Sequence, residues 1–205
     1  MFDHFGLDEA PVVGSSMGGL WGLRFALAQP ERVSALALLG CPALYPTTSA
    51  PVPMRLVTLP LLGPLLAATV MTAGDVDGAR RTWRVLGHPE ETTATLPDAF
   101  AEAWVRMDDL PHTTRSWVGL LRRAIRLRGA RPEAAFRADD LRRVQSPVLL
   151  VWGRADPFGT VEQGRRGASF FPDATFHEVG VGHLPWLDDP ETCGELVTGF
   201  LDRHG

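Results

Sequence analysis

The chain has 205 residues, a formal net charge of −4, 45% hydrophobic residues and 21% charged residues. This composition is typical of a globular protein with one good-sized core, or a core with a smaller inserted unit. The negative charge gives no reason to expect nucleic acid as a partner. All 20 basic residues are Arg, which excludes a Lys Schiff base and a phosphate-binding loop that ends in Gly-Lys-Ser/Thr.

Few residues suggest a metal, a disulfide or a membrane anchor. Cys41 and Cys193 lie far apart, and the histidines show no metal-ligand spacing, so we expect no metal and no cofactor. The longest apolar stretch, 56–71, is shorter than a membrane span and is interrupted by Pro60 and Gly63. It predicts a helical hairpin, and with no leader-like start the expected location is cytoplasmic.

The first part of the chain alternates strand and helix signals. The apolar run 11–14 ends in Gly and predicts a buried strand, and 17–29 has helical spacing up to Pro30. The unbroken apolar run Val33–Leu39 predicts a strand that is buried on both faces, as in parallel sheets.

The pattern changes from 43 to 137, where no strand signal appears and helices are predicted near 75–86, 97–107 and 113–128. Strand and helix signals then alternate again, at 147–153, 161–170, 174–179 and 190–203. This alternation predicts a parallel α/β core formed by 1–42 and 138–205. Residues 43–137 are interpreted as an all-helical insertion.

Gly14-Ser15-Ser16-Met17-Gly18 matches the G-x-S-x-G pattern of a nucleophile on a sharp strand-to-helix turn. The glycines leave room at the turn, Ser16 stands at its tip, and the backbone N–H of Met17 can face a developing oxyanion. The alternative interpretation is a Gly-rich turn that begins a helix.

Asp156 and His183 each directly follow a predicted strand, and so does Ser16. An Asp at the carboxyl end of a parallel strand lies where sites form in such sheets, and a His on a Gly-rich loop suits proton transfer near neutral pH. Taken singly, each could be an ordinary loop residue, but the order Ser, Asp, His favours a catalytic triad. Ser15 and Trp186 are expected to line the pocket, although a core role for Trp186 is equally open.

These segments resemble the α/β-hydrolase superfamily. The stretch 12–19 is similar to the nucleophile turn of that family, 147–156 to its strand and acid segment, and 182–191 to its histidine loop and final helix. The resemblance implies a hydrolase of a carboxylic ester or related acyl or carbonyl small molecule, acting through an acyl-enzyme without a cofactor. It also permits C–C bond hydrolysis, lactone opening, acyl transfer and perhydrolysis, with the insertion serving as a helical cap.

The resemblance departs at the front of the chain, where only ten residues precede Pro11. Members of the family carry further strands there and a loop that donates a second N–H to the oxyanion. The expected fold is therefore the C-terminal part of an α/β-hydrolase sheet, arising from a misplaced start codon or a truncated gene. The alternative to an active hydrolase is a catalytically impaired remnant, or a half that depends on a partner chain.

Overall fold

A parallel sheet of four strands, in the order β1-β2-β3-β4, forms the centre of the computed structural model, which describes residues 2–60, 63–70 and 73–205. The strands are β1 (Ala10–Ser15), β2 (Val33–Leu39), β3 (Val148–Trp152) and β4 (Ala174–Glu178). The helices are α1 (Phe2–Phe5), α2 (Met17–Ala28), α3 (Val52–Val57), α4 (Gly63–Val70), α5 (Val76–Val85), α6 (Glu90–Thr95), α7 (Asp98–Asp108), α8 (Thr113–Ala124), α9 (Ala138–Leu141), α10 (Val161–Ala168), α11 (Pro185–Asp188) and α12 (Pro190–His204). A short 3-10 turn, Pro30–Arg32, leads into β2.

The two central strands account for the apolar runs in the sequence. β2 pairs with β1 on one side and with β3 on the other, and Leu36 is in register with Val148. Every residue of β3 is buried, as expected for a strand with helices on both faces. The predicted parallel α/β fold is confirmed, and the predicted and observed bounds of β2 are the same.

Two apolar layers cover the central strands β2 and β3, whereas β1, predicted to be buried, is partly exposed, with Val13 46% exposed. On one face, Leu23 of α2 packs with Tyr45, Leu150 and Trp152. On the other face, Ala37 and Val151 pack against Phe200 of α12. The alternation of side chains along each strand delivers successive residues to the two layers.

The helices α3 to α8 lie in the segment between β2 and β3. The two ends of this segment meet where the Phe136 N–H donates to the Leu44 carbonyl at 3.2 Å. The segment contains one apolar cluster around Trp83 and another that includes Val57 and Leu121.

Some local details differ from expectation. α8 ends at Ala124, and Ile125–Arg126 then pairs with Gly129–Ala130 as a two-residue antiparallel ladder. A ladder this short has no detectable periodicity in a sequence, and Gly129 supplies the positive φ of 122° at its turn. The hairpin predicted at 56–71 corresponds to the end of α3 and to α4, but 61, 62 and 71 lie outside the described residues. None of the helices in the described ranges combines the length and apolarity needed to cross a bilayer.

The core predicts a clear contrast between two leucine substitutions. Leu150 in β3 is 0% exposed and Leu110, between α7 and α8, is 59% exposed. Leu150→Ala should lower the free energy of unfolding by about 2–5 kcal/mol, because it leaves a cavity between packed layers. Leu110→Ala should change it by less than about 0.5 kcal/mol. Urea unfolding followed by circular dichroism measures both, and similar losses would contradict the layer assignment.

Candidate active site

Ser16 lies on a tight turn between β1 and α2, with φ 52° and ψ −107°. The turn brings the backbone of Gly14 against that of Gly18, so that a Cβ on Gly14 would lie 2.6 Å from the Gly18 carbonyl carbon. A Cβ on Gly18 would meet no heavy atom within 4 Å. Both glycines are expected to leave room for the turn. The structure requires a glycine only at position 14, because a side chain there would clash with the backbone, whereas position 18 has space for one.

Ser16, His183 and Asp156 form a continuous line of hydrogen bonds. Ser16 Oγ lies 2.7 Å from His183 Nε2, and His183 Nδ1 lies 2.8 Å from Asp156 Oδ2. In the tautomer that satisfies both contacts, the hydroxyl donates to Nε2 and Nδ1–H donates to the carboxylate. Asp156 is 6% exposed and His183 is 3% exposed, so the line is shielded from water except at the serine.

Backbone groups fix the Asp156 carboxylate. The Cys41 N–H, just beyond β2, donates to Oδ2 at 2.9 Å, and the Phe158 N–H donates to Oδ1 at 2.9 Å. The Phe158 ring also lies against the imidazole of His183, with 4.2 Å between ring centroids. The bond to Phe158 is an Asx-turn, which the sequence Asp-Pro-Phe suggests; the bond to Cys41 involves no side chain of that residue and leaves no trace in the sequence.

Burial raises the pKa of the Cys41 thiol well above its ordinary value, and the nearby Asp156 carboxylate adds to this effect. The thiol therefore remains protonated near neutral pH and is a poor nucleophile. Ser16 is the better candidate, because a base is already hydrogen-bonded to its hydroxyl.

A second buried His–Asp pair lies behind the loop that carries His183. His88 Nδ1 is 3.0 Å from both carboxylate oxygens of Asp188, and Asp188 Oδ2 accepts from the N–H groups of Val181 and Gly182 at 2.9 and 2.7 Å. Burial opposes ionisation of Asp188, but these hydrogen bonds outweigh it and hold the pKa below its ordinary value. Neither residue directly follows a strand, so the pattern that singles out Ser16, Asp156 and His183 does not identify this pair.

A pocket with about 740 Å³ of empty space, part of it open to solvent, lies beside Ser16. Its walls come from the core and from the insertion, and include Met17, Leu44, Met54, Trp117, Leu121 and Phe158. Every residue assigned to this lining in the described part of the chain is uncharged. The stretch of the insertion between Arg55 and Asp75 also contains no charged side chain.

Ser15 and Trp186, which the sequence predicts to line the pocket, are not among the residues assigned to its lining in the described part of the chain. Ser15 is the last residue of β1, and its Oγ is buried without a hydrogen-bond partner. Trp186 packs edge-on against Phe100, and lines a separate depression with Leu39. Trp186 is partly buried and packs against two apolar clusters of the core.

Met17 is the residue predicted to donate a backbone N–H to the oxyanion. It is the first residue of α2 and borders the pocket next to Ser16. The first N–H groups of a helix have no partner within the helix and lie at the positive end of its dipole.

The parallel sheet and the serine turn agree with the comparisons to known proteins. The chain belongs to the α/β hydrolase fold family, whose sequence model matches residues 1–190. It is 26% identical over 206 residues to a 2-hydroxy-6-oxononadienedioate/2-hydroxy-6-oxononatrienedioate hydrolase from Paraburkholderia phymatum, covering 99% of this chain and 66% of that protein. A 2-hydroxy-6-oxo-6-phenylhexa-2,4-dienoate hydrolase from Burkholderia cepacia is 24% identical over 204 residues, covering 98% of this chain and 65% of the relative. The chain thus spans just under two thirds of the length of these relatives.

Solved structures show the same fold. The 2-hydroxy-6-oxo-6-phenylhexa-2,4-dienoate hydrolase from Rhodococcus sp. strain RHA1 superimposes with a TM-score of 0.73 at 18% identity, over 98% of this chain and 66% of that one. The naproxen esterase from Bacillus subtilis superimposes with a TM-score of 0.64 at 22% identity, over 97% and 62% of the two chains.

The two glycines of the serine turn predict opposite responses to alanine. Gly14→Ala should lower the free energy of unfolding by about 1–3 kcal/mol or more, because the added methyl group forces the turn apart. Gly18→Ala should leave stability unchanged or raise it by up to about 1 kcal/mol, since Ala favours the helix that begins there. Equal losses in urea unfolding would show that the turn does not have this shape.

Proposed function

We propose that the protein hydrolyses a carboxylic ester or a related acyl or carbonyl small molecule through an acyl-enzyme on Ser16. The observation that carries this proposal is the unbroken hydrogen-bonded line from Ser16 Oγ through His183 to the buried Asp156 carboxylate. Such a line activates a hydroxyl that is otherwise a weak nucleophile. Neither half-reaction described below requires a metal or a cofactor.

In the first half-reaction, Ser16 Oγ attacks the substrate carbonyl carbon while its proton passes to His183 Nε2. The imidazolium that forms is stabilised by the Asp156 carboxylate, which also keeps the ring in the correct tautomer. The developing oxyanion is placed next to the free N–H of Met17 at the start of α2. Collapse of the tetrahedral intermediate breaks the bond to the leaving group, which takes the proton from His183.

In the second half-reaction, His183 removes a proton from water as the water attacks the acyl carbon on Ser16. The same imidazolium then returns the proton to Ser16 Oγ as the carboxylic acid leaves. Both half-reactions use one proton-transfer group, and the enzyme is regenerated without net gain or loss of a proton.

Residues 43–137 are proposed to act as a cap over the core formed by 1–42 and 138–205. This proposal is supported by the pocket walls, because Met54 and Trp117 belong to the insertion while Met17 and Phe158 belong to the core. A substrate that reaches Ser16 would be held between the two units, so residues of the insertion would set which acyl groups fit.

The lining favours an uncharged, apolar acyl group. A carboxylate on the substrate would lose its hydration in a pocket whose described walls offer no cationic partner, and burying an unpaired charge is costly. A neutral hydrocarbon group would instead gain from burial against Leu44, Met54 and Trp117.

Hydrolysis of a C–C bond is the second candidate, favoured by the relatives from Paraburkholderia phymatum and Burkholderia cepacia, whose names describe hydrolases of oxo-dienoates. Those substrates are carboxylates, whereas the lining described for this pocket is uncharged. The ester and acyl proposal therefore fits the pocket better, and decay of the 2-hydroxy-6-oxo-6-phenylhexa-2,4-dienoate chromophore on adding the protein would favour the C–C alternative.

A fluorophosphonate probe should react covalently with Ser16. We expect intact-protein and peptide mass spectrometry to find one adduct, on the peptide that contains Ser16, and none in Ser16→Ala. His183→Ala should slow labelling by about 10³-fold or more, because the base is lost. The matched control Ser15→Ala should label normally. A folded protein that fails to react would support the impaired or partner-dependent alternative.

Substrate charge provides a separate test of the pocket. p-Nitrophenyl hexanoate should be hydrolysed with a kcat/KM about 100-fold higher than the p-nitrophenyl monoester of adipic acid, because the free carboxylate has no partner in the pocket. Trp117→Arg places a cation at the pocket wall and should narrow this ratio, whereas Trp117→Leu should not. Equal rates on both esters with the unaltered protein would contradict the apolar pocket.

A further inference from the structure

The His88–Asp188 pair has features of a built site rather than of an incidental contact. Both side chains are buried, and they come from different units of the chain. His88 follows α5 in the insertion, whereas Asp188 ends α11 beside the histidine loop, defined here as residues 180–184. The two residues are separated by 100 positions in the sequence.

The neighbours of His88 determine its tautomer. Its Nδ1 faces the Asp188 carboxylate at 3.0 Å, and its Nε2 accepts the N–H of Leu184 at 3.3 Å. A ring nitrogen that accepts an N–H carries no proton of its own, so His88 is the neutral Nδ1–H form in this arrangement. Both polar atoms of the ring are therefore committed to fixing other groups, and neither is free to act as a base.

The pair contacts the histidine loop on both sides of His183. Asp188 Oδ2 holds the N–H groups of Val181 and Gly182, and His88 Nε2 holds the N–H of Leu184. A Cβ on Gly182 would lie 2.5 Å from the His88 ring, so the loop backbone rests directly on the imidazole.

The insertion also holds His183 itself through its backbone. The Leu86 carbonyl accepts the His183 N–H at 2.8 Å. With the contacts of His88 and Asp188, the N–H groups of all four residues from Val181 to Leu184 are occupied, and the loop has little freedom to turn the His183 ring.

We propose that His88 and Asp188 are positioning residues that fix the histidine loop, so that the His183 ring stays between Ser16 and Asp156. This inference rests on the proposed function, because it concerns the same base. It adds that the cap unit takes part in orienting the base, besides forming the pocket wall.

Substitutions of His88 test this without changing charge, since the native ring is neutral. His88→Phe keeps a ring of similar size but removes both hydrogen bonds. His88→Asn puts an amide nitrogen near the position of Nδ1 and keeps the bond to Asp188. The matched control is His177→Phe, an exposed histidine on β4.

The first measurement is the rate of fluorophosphonate labelling against probe concentration, well below the melting temperature of each variant. We expect His88→Phe to lower the limiting rate constant by about 10- to 100-fold, as for a small misplacement of a reacting group, with the half-saturating probe concentration unchanged. His88→Asn should recover most of the lost rate, and His177→Phe should match the unaltered protein. Equal limiting rates in His88→Phe and the unaltered protein, or equal losses in His88→Asn and His88→Phe, would overturn the proposal.

The second measurement does not require activity. The proton between His183 Nδ1 and Asp156 should give a low-field resonance in the proton NMR spectrum of the unaltered protein. We expect it to persist in His88→Asn and to broaden or disappear in His88→Phe. If the protein shows this pattern but does not react with the fluorophosphonate probe, the proposed reaction is refuted and the positioning role is kept. An unchanged resonance in His88→Phe would refute the positioning role.

Discussion

The Asp156 carboxylate is the interaction on which the arrangement of the site depends. It joins the end of β2, through the Cys41 N–H, to its own loop, through the Phe158 N–H, and to the ring of His183. A carboxylate this buried is tolerated only when its oxygens are satisfied, so the three donors and the charge stabilise one another. The parallel sheet makes this possible, because the carboxyl ends of its strands lie at one edge.

The serine turn adds a second constraint at the same edge. The Ser16 N–H donates to the Leu39 carbonyl at 3.3 Å, and the Ser16 carbonyl accepts from the Ala43 N–H at 3.1 Å. These bonds tie the positive φ of Ser16 to the end of β2, which also leads to Cys41. Backbone in this region costs about 1–3 kcal/mol and persists only when its surroundings impose it. The same strand end therefore fixes both the serine and the aspartate.

The sequence predicts elements in which one physical signal extends over several residues. It does not predict very short elements or contacts between residues that are far apart in the chain. β2 was predicted with its observed bounds because burial on both faces leaves an unbroken apolar run. The short helices α6 and α9 were not predicted, since a single turn or two produces little periodicity. Ser16, Asp156 and His183 are predicted as candidates from their places after strands, and hydrogen bonds join their side chains. The contact of His88 with Asp188 could not be predicted, because it depends on how the insertion folds back onto the core.

The insertion meets the site through two separate packing units. The cluster around Val57, Leu121 and Ile125 supplies pocket wall, whereas the cluster around Trp83 leads to Leu86 and His88. Because each cluster has its own buried core, substitutions on α8 that reshape the pocket need not disturb the contacts beneath His183. Substitutions around Trp83 would alter the contacts that hold His183 without altering the pocket wall. This division would let the proposed acyl selectivity change in one part of the insertion while the geometry of the proposed proton transfer is preserved by the other.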